Sequence, residues 1–346
     1  MSAKGDNSKA LALADEALKI DPNSYYAHLV RSSSLVALGK RDDAKAELQN
    51  ILKTVPTSAD AQYQLGYLTY QEQNFKDAEA IFRSLQQSSP KDPRAVIGIV
   101  ETLVAEGKPQ DAITILRAAM EREPDRPEYR EALGNVFIRN KQYDEGLKEF
   151  QALAAKKSTP EILIKMGEVY RLKGDMNSAL DYFQKAKTAA GNTSAAPSLR
   201  CAMLLDGMVR RDEATKAYED VLRIDPDNGV AMNNLAFIKA DDGSDLDRAL
   251  TLAQKARQRY PTDPNVADTL GWIYVKKNLT DDAIRMYRDI VAKAPNNPTY
   301  RYHLATALIQ KGDKHSARQE LDTALRNGPS PTEQGRIRDL IAKVGS

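Results

Sequence analysis

Apolar residues recur along this chain at spacings of three and four with polar positions between them, the pattern of helices that each bury one face. Ile81, Phe82 and Leu85 show it in miniature. The clearest stretch runs from 264 to 295, PNVADTLGWIYVKKNLTDDAIRMYRDIVAKAP, and predicts two short amphipathic helices joined by a tight turn. Leu270, Gly271 and Tyr274 fall on the first helix, Ala283, Tyr287 and Ile290 on the second, and Pro295 closes the unit. No run reaches the ~18 consecutive apolar residues of a membrane span.

The same unit recurs. Pro22, Pro56, Pro90 and Pro124 are each 34 residues apart. Ser158 and Asn192 hold the next two places, and proline returns at Pro226, Pro261, Pro295 and Pro329, with a single step of 35. Self-similarity at a fixed period of this size marks a stacked-repeat architecture, in which length counts units rather than separate cores.

Small and large residues keep the same register. Leu65-Gly66 with Ala78 and Phe82, Leu133-Gly134 with Gly146 and Phe150, and Met166-Gly167 with Ala179 and Phe183 repeat one arrangement. Leu270-Gly271 with Ala283 and Tyr287, and Leu304-Ala305 with Ala317 and Leu321, continue it. A Gly or Ala on each helix lets two axes approach closely while the large residue fills the space beside the contact. Asp92-Pro93, Asp263-Pro264 and Asn297-Pro298 place a capping residue before a proline at the first helical position. Thr280, with Asp281 and Asp282 behind it, is expected to cap a second helix in the same way.

On these residues the chain resembles the tetratricopeptide-repeat (TPR) family. The resemblance covers about nine full repeats over 25–329, starting near 25, 59, 93, 127, 160, 195, 229, 264 and 298. A half-repeat helix over 1–24 precedes them, and a capping helix over 330–346 follows. It implies an all-α solenoid: twenty short helices in antiparallel pairs, stacked into a right-handed superhelix. A chain beginning mid-repeat is expected to be a fragment of a longer protein or to carry an unusual cap. Repeat six is irregular, preceded by AAGNTSAAPS and lacking a turn glycine at the usual place, and repeat seven carries one extra residue in ADDGSDLDRAL. In repeats seven to nine, NNLAF, DLDRALTLAQKA and DTLGWIYVKK are similar to a block in bacterial envelope-associated proteins of this family, some of which accompany exopolysaccharide production or protein sorting.

In that family the first helices of successive repeats line a concave groove, with inward residues near positions two, five, nine and twelve. Those positions give two clusters. The first is Tyr63, Tyr67 and Tyr70, spaced i, i+4, i+7, with Tyr26, Leu29, Arg94 and Ile97 expected to flank it. Tyrosine offers amphipathic contact area at low entropic cost, which suits a platform for a peptide or helix; the alternative is that the rings pack against neighbouring first helices. The second comprises Asn233 and Phe237, Asp268 and Trp272, and Tyr302 and Thr306. An exposed Trp beside Tyr and Phe suits an interaction hot spot, and the same ring could also wedge between adjacent helices. Asn234 matches the asparagine that some relatives use to hold peptide backbone. Gln64, Lys165, Arg200, Thr269 and His303 stand at the equivalent places, so a ladder is absent and a local contact is expected. No three adjacent repeats supply the two-carboxylate clamp of chaperone-binding members, which argues against chaperone C-termini as the ligand.

Composition narrows the function further. Lys and Arg number 50 against 48 Asp and Glu, for a net charge of +2, with no basic stripe of the kind nucleic-acid phosphate requires. The three histidines, His28, His303 and His315, lack metal-ligand spacing, and the acidic run Asp241, Asp242, Asp245, Asp247 lacks the Gly and Glu of a calcium loop. The single cysteine, Cys201, falls at a core position and reads as a structural thiol. No phosphate loop or nucleophile elbow appears. The expectation is therefore a non-catalytic protein-binding module without cofactor or metal, its partner a peptide or helix. The alternative is a self-associating scaffold for a bacterial envelope or secretion assembly. The N-terminus lacks a basic-then-apolar signal pattern, and the compartment stays open between cytoplasm and periplasm.

Overall fold

The computed structural model describes residues 3–344, and the described residues form helices and turns with no strand. The chain divides into two compact units, Met1–Ser158 and Thr159–Ser346. The first holds α1 (Ala3–Ile20), α2 (Tyr25–Ala37), α3 (Arg41–Thr54), α4 (Ala59–Gln71) and α5 (Phe75–Ser88). It continues with α6 (Pro93–Ala105), α7 (Pro109–Arg122), α8 (Pro127–Arg139) and α9 (Tyr143–Lys156).

The second unit holds α10 (Pro160–Leu172), α11 (Met176–Ala190), α12 (Ala196–Gly207), α13 (Arg211–Ile224), α14 (Gly229–Asp242) and α15 (Leu246–Arg259). It ends with α16 (Pro264–Lys276), α17 (Thr280–Lys293), α18 (Pro298–Lys311), α19 (Lys314–Arg326) and α20 (Pro331–Val344). Both units are built from helix pairs, each packed on the next, so the buried residues form a row of local clusters instead of one centre.

The glycine register sets the distance within a pair. A Cβ on Gly66 would stand 2.7 Å from the Phe82 ring, one on Gly134 3.0 Å from Phe150, one on Gly167 2.5 Å from Phe183, and one on Gly271 2.8 Å from Tyr287. The aromatic of each second helix thus lies directly against the backbone of its first helix, and Phe82, Phe150, Phe183 and Tyr287 are all fully buried.

Helix starts follow the capping rule with one correction. The side chains of Asp92, Asp263 and Asn297 accept from Arg94 N, Asn265 N and Tyr300 N. Thr280, by contrast, is the first helical residue of α17; Leu279 is the N-cap and supplies no side-chain bond. Asp281 and Asp282 remain in the first turn, where they complement the helix dipole.

After the first helix of a pair the chain turns through one residue at positive φ. Gly39, Gly107, Gly174 and Gly312 occupy this place, while Gln73, Lys141, Val209 and Asn278 stand there with φ near +60°, Val209 between α12 and α13. A β-branched side chain in the left-handed region is strained, and Val209 is also 72% exposed. Of the four non-glycine residues only Val209 is β-branched, which makes its turn the most strained of them.

Candidate functional site

First helices of successive pairs touch directly: α2 with α4, α4 with α6 and α6 with α8 in the first unit, and α10 with α12, α14 with α16 and α16 with α18 in the second. The faces of these helices between their contacts are where the candidate residues lie.

In the first unit Tyr63, Tyr67 and Tyr70 form a ladder along α4. Tyr67 stacks on each neighbour at a centroid separation of 6.3 Å, with interplanar angles of 20° to Tyr63 and 22° to Tyr70. Tyr67, in the middle, is 41% exposed. Tyr63 and Tyr70 are half-buried, the first against Phe82 and the second against Phe75. The outer two rings thus pack on the second helix of their own pair, and the middle ring stays open. Burial pushes the Tyr63 phenol above its ordinary value, with Glu101 and Tyr67 adding to the shift.

One of the expected flanking residues, Arg94, lies beside the ladder. The Arg94 guanidinium is 5.0 Å from the Tyr63 ring centroid, held there by Asp92 and by Asp60 at 2.9 Å. Tyr26 is openly exposed. Leu29 is not a groove residue: it is buried in the core with Leu48, Ile51, Ala61 and Leu65.

Beyond the ladder a cavity of about 620 Å³ opens between α6 and α8. Ile97, Val100, Glu101 and Val104 line one side, and Glu128, Glu131, Ala132, Asn135, Val136, Ile138 and Arg139 the other. Glu101 is half-buried, and desolvation raises its carboxyl pKa, opposed only by the charge of Arg139. Glu101, Glu131 and Asn135 carry no aromatic signal in the sequence. The signal available is their place: they fall at positions nine, five and nine of their repeats.

In the second unit the expected cluster is reorganised around His303, which is only 8% exposed. Trp272 stacks on its ring at 4.5 Å, Tyr287 and Tyr302 lie at 5.6 and 5.7 Å, and Asp268 Oδ1 is 2.6 Å from its Nδ1. The Tyr287 hydroxyl donates to the Asp268 carbonyl at 3.0 Å, and near-complete burial drives the Tyr287 phenol well above its ordinary pKa. Trp272 is accordingly half-buried, not the exposed ring expected, and packs against the cores on both sides of α16. Lys276 Nζ sits 5.2 Å from its ring centroid. Thr306 donates to the Tyr302 carbonyl, which uses its hydroxyl within α18.

Asn233, Asn234 and Phe237 on α14 are a separate group. Among the described residues none of them bonds or stacks with Asp268, Trp272 or Tyr302. Asn234 Nδ2 donates to the Tyr218 hydroxyl at 2.8 Å, the local contact expected for it, and Asn233 Nδ2 donates to Asn234 Oδ1. Burial, against that donated bond, puts the Tyr218 phenol at about 12. Phe237 is half-buried. Asn233 and Asn234 open onto a different cavity, about 400 Å³, with Val230, Tyr260 and Asn265.

Remaining chemistry is structural. Cys201 is 3% exposed, and burial raises its thiol to about 11, far from a nucleophile's range. Asp245 caps α15 by accepting from Arg248 N, and Asp241 and Asp242 are solvated. No group of three metal-ligating side chains occurs among the described residues, and no helix is long and apolar enough to cross a membrane.

Paired helices, aromatic-on-glycine contacts and touching first helices find their counterpart in known proteins. Family models described as tetratricopeptide repeat match residues 69–136 and 103–165, 29–93 and 269–330, and 160–193. This chain is a tetratricopeptide-repeat protein. It is 27% identical over 137 residues to cellulose synthase 1 operon protein C of Komagataeibacter xylinus, across 39% of this chain and 10% of that one. It is 24% identical over 341 residues to cellulose synthase operon protein C of Pseudomonas fluorescens, across 95% of this chain and 25% of that one. It thus spans a quarter or less of these two relatives. Among solved structures, a chain of the APC/C hetero-tetramer Cut9–Hcn1 superposes with a TM-score of 0.54 at 16% identity, over 98% of this chain and 73% of that one. A tetratricopeptide repeat protein from Parabacteroides merdae does so at 0.50 and 15% identity, over 72% and 98%. The TPR fold is in general a protein–protein interaction module.

Proposed function

We propose that this TPR protein is a non-catalytic module that holds a peptide or helix of a partner protein against its first-helix faces. The observation that carries the reading is the tyrosine ladder of α4, whose central ring, Tyr67, remains 41% exposed among stacked neighbours. A preorganised row of rings loses little entropy on binding and offers both apolar faces and hydroxyls. In the second unit Asn233, Asn234, Phe237, Asp268, Trp272, Tyr302 and Thr306 are the proposed contact residues. Asn233 and Asn234 line a cavity, and Trp272 and Tyr302 are half-buried beside His303. Affinity capture from a bacterial lysate tests this, comparing the intact chain with Tyr63→Ala, Tyr67→Ala and Trp272→Ala together. Loss of specific proteins supports the reading; identical capture removes these residues from the site.

A second reading, a self-associating scaffold for an envelope or secretion assembly, is favoured by Leu13 and Ile20, which stand 66% and 88% exposed on α1. Relatives named for a cellulose synthase operon suit it. Light scattering separates the two: a monomer at every concentration sinks the scaffold in its simple form.

A further inference from the structure

We infer that the cavity between α6 and α8 receives a lysine or arginine side chain of the bound peptide, with Glu101 as its ion-pair partner. The inference rests on the peptide-groove reading above and adds the chemistry of the ligand. Glu101 is half-buried beside Ile97, Val100 and Val104 of its own helix and faces α8 across the cavity. Among the described residues its carboxylate has no hydrogen bond and no ion pair. A carboxylate drawn out of water without a partner is unfavourable. Arg139, exposed at the end of α8, acts on it only through space.

The charges around the cavity are predominantly acidic. Glu101, Glu128 and Glu131 face a single guanidinium, that of Arg139. The other cation beside this face, Arg94, is already committed to Asp92 and Asp60. The Arg94 charge is thus spent on Asp92 and Asp60 and is not available to Glu101. A volume of about 620 Å³ is enough for a long basic side chain and an apolar neighbour. The stem of Lys or Arg packs on apolar walls while its head reaches a carboxylate, and such charge-assisted bonds are roughly twice as strong as neutral ones. An acidic segment would meet like charge there. The occupant is thus a peptide that places a basic residue next to an apolar one, with the Tyr67 face taking the adjoining segment.

Panning a random decapeptide library against the intact chain and against Glu101→Gln tests this. The expected result is enrichment of peptides pairing Lys or Arg with an apolar residue on the intact chain, and no such bias on Glu101→Gln. In the best binder, changing the basic residue to Gln should weaken binding about tenfold on the intact chain and much less on the variant. Binders that depend on Tyr67 but show no basic bias, or a bias that survives Glu101→Gln, overturn the inference and leave the groove reading standing. No binders at all overturn both. A Glu101→Gln melting temperature at or above that of the intact chain establishes that the variant is folded.

Discussion

Trp272 lies against His303, ring centroids 4.5 Å apart and planes 30° from parallel, and this contact ties α16 to α18. Asp268, one turn before Trp272 on α16, holds the imidazole Nδ1 at 2.6 Å. The only tryptophan of the chain is thus part of the joint between two successive first helices. Trp272→Ala should lower stability by about 1–3 kcal/mol, below the range for a fully buried Trp because the ring is half-buried. Urea unfolding measures it, and an unchanged midpoint would show that the stack contributes nothing.

Gly271, beside Trp272, tests the packing rule itself. Any Cβ there would stand 2.8 Å from the Tyr287 ring, a side chain with no measurable exposure and its hydroxyl fixed on the Asp268 carbonyl. Gly271→Leu should destabilise by on the order of 1–3 kcal/mol through overpacking. A melting temperature equal to that of the intact chain would contradict the register assigned to repeat eight.

Strain at Val209 makes the opposite prediction. Its φ of +60° sits where four equivalent turns carry glycine and three carry the unbranched Gln73, Lys141 and Asn278, and its side chain is 72% exposed, so little packing is lost on removing it. Val209→Gly should raise stability by about 0.5–1.5 kcal/mol, the relief of left-handed strain less the added freedom of the unfolded chain. A drop in melting temperature would mean that the exposed isopropyl group makes contacts worth more than the strain.

Glu101 gives a pH dependence with a definite sign. Desolvation raises its folded pKa, so the protonated carboxyl is the form the fold prefers. Below the ordinary glutamate range, about pH 4, both states are protonated and the residue is harmless. As pH rises the unfolded chain ionises first, and by the time the folded carboxyl has ionised the whole penalty is felt. Glu101→Gln should therefore match the intact chain in acid and melt at a progressively higher temperature towards neutrality. A constant difference across that range would count against a desolvated carboxylate.

Most of the fold was legible in the residues because the architecture repeats. Three periods state a helix start through Asp92, Asp263 or Asn297, and four state their close contact through a glycine and an aromatic. What the sequence could not convey was which neighbour a groove-facing side chain meets. Trp272 sits at an inward position, yet His303 from the next pair covers it. Leu29 was assigned to the groove and is drawn into the core by Leu48 and Leu65. Thr280 has the chemistry of a cap, but α17 begins one residue too early for it to serve. Glu101 and Arg139 went unnoticed because a charged residue on a helix face looks solvated until its partner helix is in place.

Binding is expected on the first-helix faces and not on the second-helix faces. Isothermal titration of a captured partner or panned peptide against two variants tests it most directly. Tyr67→Ala removes the exposed rung of the ladder on α4, and Arg83→Ala alters the exposed second-helix surface of α5, where Arg83 pairs only with Glu79 among the described residues. The account predicts about tenfold or greater weakening for Tyr67→Ala, in keeping with a hot-spot aromatic, and an unchanged affinity for Arg83→Ala. Full affinity with Tyr67→Ala and loss with Arg83→Ala would place the binding surface on the opposite face and contradict the account.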